Sequence, residues 1–510
     1  MNLSKQDQIA FWRTLAQAFK AGKRLTDSLG EAGAASSDTA FARIAASLIG
    51  EIEAGGTLSN GMRQFPDAFD ERIAKAMANA EAGGVMDLGA AQIVDALEAD
   101  DLDSLSGPSP DAHVETDQAA TSEAVHRLLR QAVTSRACDI HLEPTEDRRG
   151  RVRVRIDGAL HDLDPLPDGM FDKVVSRIKI MADLDVAERA MPQDGRILIG
   201  EVEGKSLDLR VCIVPCCHGE RVVVRLLDRG AVKFSLSRVG MTPEDTETVR
   251  KLCRLPNGVV IVNGPTGSGK TTLLYALLEE IRRDVNCVIT VEDPVECFIK
   301  GVSQIQIKQQ IGYTFARALR SVFRQDPDVV MVGEIRDLEV AHLCVQCALT
   351  GHLLFTTLHA STSVGAIRRM IDIGVDSFLV NSTLAGVITQ RLIRMLCPKC
   401  KKPVETVAHS LPPEAGQIVS GFKDPAFCQA TGCDECLGTG YHGRTAIHEI
   451  LLMDNRMRQI VADSADIDAM RDAASTSGMK TLMHKGLEKA AQGITSIEEI
   501  LGVTHTGANI

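Results

Sequence analysis

Apolar side chains recur at helical spacing through the first hundred residues. Ile9, Trp12, Leu15, Ala16 and Phe19 share one helix face, and Phe41, Ile44, Leu48 and Ile52 repeat the pattern. Gly22, Gly55–Gly56 and Gly83–Gly84 fall where these helices should end. Residues 1–100 therefore read as a helical bundle. The stretch 99–117, ADDLDSLSGPSPDAHVETD, then becomes acidic and rich in Ser and Pro, and 101–117 reads as a linker. From 118 to 235 the period shifts towards two in RVRVRIDGAL, RILIGEVEGKSLDLRVCIV and RVVVRLL, between helical stretches. That mixture predicts a separate α/β domain. From 236 to 396 apolar strands alternate with helices, the pattern of a parallel sheet covered on both faces. Strands are predicted at Val259–Asn263, Val288–Val291, Val329–Val332 and Leu353–Thr357. Clustered cysteines mark an insert at 397–440, and 441–510 reads as helical. The chain has no internal repeat.

Composition changes this picture in few places. A chain of 510 residues has room for three or four domains. Aromatics make up only 4%, so aliphatic side chains must build most of the cores. Acidic residues outnumber basic ones, 68 to 56, for a net charge of -12. A nucleic-acid partner is therefore not expected, because non-specific binding needs a basic face, although a local basic channel is compatible with this balance. No run of 18 apolar residues occurs, and the N-terminus has neither the apolar core nor the cleavage site of a signal peptide. A cytoplasmic protein is expected. Most of the 14 cysteines are scattered singly, as small buried hydrophobes are in a reducing compartment.

The chemistry concentrates in the third domain. Gly264-Pro265-Thr266-Gly267-Ser268-Gly269-Lys270-Thr271 fits the phosphate-loop pattern G-x-x-x-x-G-K-[ST]. GVVIVNG precedes it and TTLLYALLEEI follows, the strand–loop–helix setting that an ordinary Gly-rich turn lacks. Backbone N–H groups and a helix N-terminus suit polyphosphate, Lys270 can reach the β and γ oxygens, and Thr271 can ligate Mg²⁺. ATP and Mg²⁺ are the expected ligands of this RecA-like P-loop domain. DPDVVMVGEIRD places Gly333 and then Glu334 after an apolar strand, where many P-loop enzymes have Asp. That shift implies a Mg²⁺ held through water, or a salt-bridging turn between Glu334 and Arg336. VEDPVE puts Glu292, Asp293 and Glu296 at the end of another strand, where one carboxylate can orient the attacking water. His352 and His359 bracket the strand LLFTTL and are expected near one edge as γ-phosphate sensors.

These residues carry a resemblance. From about 118 to 505 the chain resembles the secretion ATPases that power type II secretion and type IV pilus assembly. CDIHLEP, RVRIDG, MPQDGRI, HGERVVVRLLD, GPTGSGKTTLLY, TVEDPVE, TFARALRSVFRQDPDVVMVGEIRD, ALTGHLLFTTLHA and GYHGRTAIHEIL stand in the family's order. The resemblance implies a hexameric motor with Glu296 as general base and Glu334 supporting Mg²⁺ and water. His352 and His359 would couple the site to conformational change. It also implies that Arg210 and Arg225, from the preceding PAS-like domain, complete a nucleotide site, the alternative being strand-surface ion pairs. Cys138 stands where the family usually has Ser, and a small residue is kept.

Cys397-x₂-Cys400 and Cys433-x₂-Cys436 have the spacing of two zinc knuckles. Four thiolates leave no open position, so Zn²⁺ there would be structural. The alternative is four free or redox-active thiols. Assembly ATPases of the resembled family often carry this insert. Cys428 is out of register with the knuckles. Residues 7–98, with GGTLSNGM, FPDAF and EAGG, resemble a cytoplasmic domain of the inner-membrane platform protein of the same machines, the alternative being a generic helical bundle. Platform protein, peripheral attachment at the inner membrane and a homo-hexamer are the implied partners and setting. Two rivals remain: a related P-loop ATPase of conjugation or DNA uptake, and a non-hydrolysing ATP-binding subunit. The cysteine insert and acidic balance oppose the first. Intact Lys270, Thr271, Glu296 and Glu334 oppose the second.

Overall fold

The strand GVVIVN is buried on both faces, as its unbroken apolar run requires, and the C-terminal half of the chain is arranged around it. The computed structural model describes residues 5–504 except 21–22, 24, 36–38, 54–56, 84–85, 106–111, 148, 204, 229–233, 283–285, 406–410 and 464.

Helices Lys5–Lys20, Leu25–Ala35, Thr39–Glu53, Leu58–Met62, Glu71–Gly83 and Met86–Ala99 build the N-terminal domain. They end where expected, although Gly22, Gly55, Gly56 and Gly84 lie outside the described residues. The scarce aromatics gather here. Phe11 stacks on Phe41 at 5.0 Å, and Trp12 meets Phe69 edge-on at 5.9 Å. This core draws only on residues of the first 105.

The expected linker is shorter than its composition suggested. Leu102–Leu105 forms a 3₁₀ turn and a helix already runs over Ala112–Thr134, while 106–111 lie outside the described residues. The sequence from Ala112 has no Gly or Pro and is rich in Ala, Glu and Gln, so helix propensity prevails over its polarity. Strands β1 (Asp139–Glu143), β2 (Arg151–Ile156), β3 (Ala159–Asp162), β4 (Gln193–Val202), β5 (Lys205–Cys216) and β6 (Gly219–Asp228) follow. They form one antiparallel sheet in the order β3-β2-β1-β6-β5-β4. The helices Ala112–Thr134 and Phe171–Met181 pack into its core through Leu128, Leu129, Val174 and Ile178.

The second sheet holds β7 (Gly258–Asn263), β8 (Val288–Glu292), β9 (Ser303–Gln306), β10 (Val329–Val332), β11 (Leu353–Leu358) and β12 (Leu384–Leu396). All pair in parallel. The insert contributes a short pair, β13 (Lys402–Pro403) with β14 (Cys428–Gln429). The chain then returns as β15 (Tyr441–Leu452), antiparallel to β12, giving the order β15-β12-β7-β11-β10-β8-β9. This corrects the helical reading of 441–510, since helix begins only at Asn455. Thr445, Ile447 and Ile450 are β-branched, and Ala446, Ile447 and Leu451 bury against the sheet, so cross-strand packing fixes the segment. The helix Leu482–Ala491 is tied back by the buried Lys485–Asp245 pair at 2.7 Å and by Lys489 donating to Gly240 O at 2.9 Å.

Candidate nucleotide site and metal centre

β7 ends at Asn263, the loop 264–269 follows, and the helix Lys270–Ile281 starts at once. Gly269 precedes that helix with φ +84°, and no side chain caps it. The helix N-terminus thus presents unsatisfied N–H groups and its positive dipole end, which fits a polyphosphate. Lys270 Nζ folds back on the carbonyls of Gly264 and Pro265, at 2.9 and 3.0 Å, with His359 Nδ1 at 3.4 Å. Burial pulls the Lys270 ammonium down to about 8, Glu334 pulls it up and Arg391 pushes it further down.

The parallel register brings the C-terminal ends of β7, β8, β10 and β11 to one edge. Glu334, just past β10, bonds Arg336 Nε at 2.7 Å and lies 3.6 Å from His359 Nε2. Arg336 also approaches Asp293 at 3.7 Å. Lys270, Glu334, Arg336 and His359 thus form one charged cluster beside the loop. The His359 imidazole is held below its ordinary value, chiefly by burial and then by Lys270. Glu296 accepts two hydrogen bonds from Arg210, at 2.6 and 3.2 Å, within the same chain. Arg225 instead bonds Asp139 at 3.0 Å. Pro265, Thr266 and Thr271 are exposed, whereas Ser268 is buried.

His352 does not join this cluster. It precedes β11, and its carbonyl accepts from Gly258 N at the start of β7. His359 follows the other end of the strand, so the two residues flank opposite ends of a strand about 20 Å long at about 3.3 Å per residue. Residues that bracket a strand lie at opposite edges of its sheet, which corrects the expectation that both histidines share one. His352 Nδ1 lies 3.0 Å from Cys347 O, at the C-terminus of the helix Leu338–Leu349.

Three residues beyond the motifs enter the site. Tyr275 donates to the buried Glu292 at 2.5 Å and accepts from Glu296 N at 3.2 Å, linking the phosphate-loop helix to the VEDPVE segment. Gln390 donates to Ser268 O at 2.6 Å. Arg391, half-buried, donates to the carbonyls of Gln390 and Ser361 and to no carboxylate among the described residues. The signal available in sequence was the polar pair Gln390–Arg391 interrupting the apolar strand LAGVITQRLIRML.

The four knuckle cysteines come together with every Sγ within 4.8 Å of the others. Cys397–Cys433, Cys400–Cys436 and Cys433–Cys436 are separated by 3.9, 3.8 and 3.7 Å. Thiolates about 2.3 Å from a tetrahedral zinc stand about 3.8 Å apart, so the set fits that ion. N–H groups of Cys433 and Gly440 point at Cys436 Sγ, each at 3.2 Å, and support a thiolate. Cys428 stands outside the group.

Residues 114–502 match the family "Type II/IV secretion system protein", and 11–104 match "Type II secretion system (T2SS), protein F". The chain is 43% identical over 411 residues to the type II secretion system ATPase E of Vibrio cholerae, covering 80% of each. It is 39% identical over 407 residues to the type IV pilus assembly ATPase PilB of Myxococcus xanthus, covering 80% of this chain and 70% of that one. The fold resembles that of the Legionella pneumophila ATPase DotB, with a TM-score of 0.55, 20% identity, and coverage of 73% and 93%. Among the described residues, no helix is long and apolar enough to cross a membrane. The chain therefore belongs to the type II/IV secretion system protein family of secretion ATPases, and it carries a type II secretion protein F domain ahead of the motor.

Proposed function

We propose that this protein hydrolyses ATP as the cytoplasmic, ring-forming motor of a type II secretion or type IV pilus machine. The observation that carries this reading is the uncapped loop 264–271 beside the Lys270–Glu334–His359 cluster. Gly264 to Thr271 receive the phosphates, and Lys270 neutralises the β and γ oxygens. Thr271 and Glu334 would hold Mg²⁺, which would supply positive charge against the phosphate oxygens. Glu296 takes the proton of the attacking water. Arg210 and Arg225 serve the site from the preceding domain, and a homo-hexamer would let each reach a neighbouring subunit. Cys397, Cys400, Cys433 and Cys436 hold a structural Zn²⁺. The protein F domain attaches the motor to the inner-membrane platform protein, which supports a peripheral position at that membrane.

Hydrolysis tests this directly. Lys270→Ala should abolish turnover. Glu296→Gln should bind nucleotide yet lose roughly 10² to 10⁴ in rate, the usual cost of removing a general base. Turnover of Glu296→Gln at the parent rate would sink the base assignment.

A further inference from the structure

One buried polar pair beneath the phosphate loop is unused by the mechanism above. Gln390 on β12 and His448 on β15 stand directly opposite each other in register, 1% and 2% exposed. Gln390 Nε2 lies 2.6 Å from Ser268 O, and Gln390 Oε1 lies 3.0 Å from His448 Nε2. A carbonyl only accepts, so the amide nitrogen must face Ser268 and the amide oxygen must face the imidazole. His448 Nε2 must then carry a proton. Full burial keeps this imidazole neutral, so the proton is held as a single tautomer. Each group thus dictates the orientation of the next.

We propose that Gln390, with its amide oriented by His448, is a positioning residue that fixes the Ser268–Gly269 peptide so that its N–H faces the bound phosphates. In a trans peptide the C=O and N–H point in opposite directions. Gln390 holds the Ser268 carbonyl down against β12, so the Gly269 N–H points the opposite way, into the loop. That N–H makes no hydrogen bond among the described residues. The same contact accounts for glycine at 269. A Cβ there would lie 2.7 Å from Gln390 Nε2, and the backbone is left-handed. Because β15 begins just after the cysteine insert, the pair also ties the loop to the strand that carries the chain back from that insert.

The inference rests on reading 264–271 as the phosphate loop, and the test separates the two. Gln390→Met keeps length and apolar volume but removes the donor, leaving Ser268 O buried without a partner. The Kd for Mg-ADP and the KM for ATP should each rise roughly tenfold, the scale of a buried acceptor left unsatisfied, while kcat changes less. A folded Gln390→Met protein with parental Kd and KM overturns the proposal. His448→Leu should free the amide to turn over and weaken Mg-ADP binding several-fold. His448→Gln restores a donor to Gln390 Oε1 and should recover the loss. Equal affinities for the parent, His448→Leu and His448→Gln also overturn it, and this series decides the matter if Gln390→Met fails to fold. Lys270→Ala is the control: parental nucleotide binding by that variant would sink the phosphate-loop reading itself, whatever Gln390 does.

Discussion

Lys270 is where one proton matters most. Burial has brought its ammonium down to about 8 from an ordinary 10.5. A bound polyphosphate favours the charged form, so the complex keeps the proton at a pH where the free protein loses it. Binding then takes up a proton above about pH 8, and affinity falls as pH rises, by up to about tenfold per unit. Nucleotide Kd measured from pH 7 to 9.5 should show this decline, and Lys270→Arg, whose guanidinium stays charged, should flatten it. A parental Kd constant over that range would mean that Lys270 keeps its proton throughout in the free protein. Residues of this kind were legible because they sit in one contiguous loop with a fixed meaning for each position. Gln390 and His448 were not, because 58 positions separate them and only the β12–β15 register brings them together. His352 was misplaced for a related reason, since sequence gives the order of residues around a strand but not the distance between the strand's ends.

Among the elements, the motor strands were the plainest to read. GVVIVN, VITVE, VVMV and LLFTTL are short apolar runs buried at every position, each beside a helix. β15 was harder, because YHGRTAIHEILL mixes polar and apolar residues without clean alternation, and pairing with β12 decides its state. The cysteine insert lies between. Its spacing announced a four-cysteine cluster, while its packing could not be foreseen: Ala415, Val419 and Phe427 join Leu482, Leu487 and Ala490 of the helix Leu482–Ala491 in one small core. One zinc per chain is therefore expected in protein purified under reducing, chelator-free conditions. Cys400→Ser should release it and raise amide exchange across 397–436, with nucleotide Kd little changed. Metal analysis that finds no zinc in the parent would remove the site.

At the scale of the whole molecule, the N-terminal domain and the domain after it have separate cores, one spanning Phe11 to Leu97 and the other starting at Ala124. No described residue of the first domain appears among those brought to the nucleotide site. A chain beginning at Ala112 should accordingly fold and hydrolyse ATP in vitro at the parental rate, yet fail to co-sediment with membranes that carry the platform protein. Normal membrane recruitment of the shortened chain would refute the attachment role, and lost hydrolysis would mean that the domain belongs to the motor. The insert follows a similar logic by a different route. β12 and β15 remain paired up to Leu396 and Tyr441, so residues 397–440 leave and re-enter the motor at neighbouring points. For a segment whose ends already meet, doubling its length adds only about 0.6 kcal/mol of closure entropy. The hairpin is thus a socket: the length of what it holds can change at little entropic cost while the stem that supports the phosphate loop stays shut.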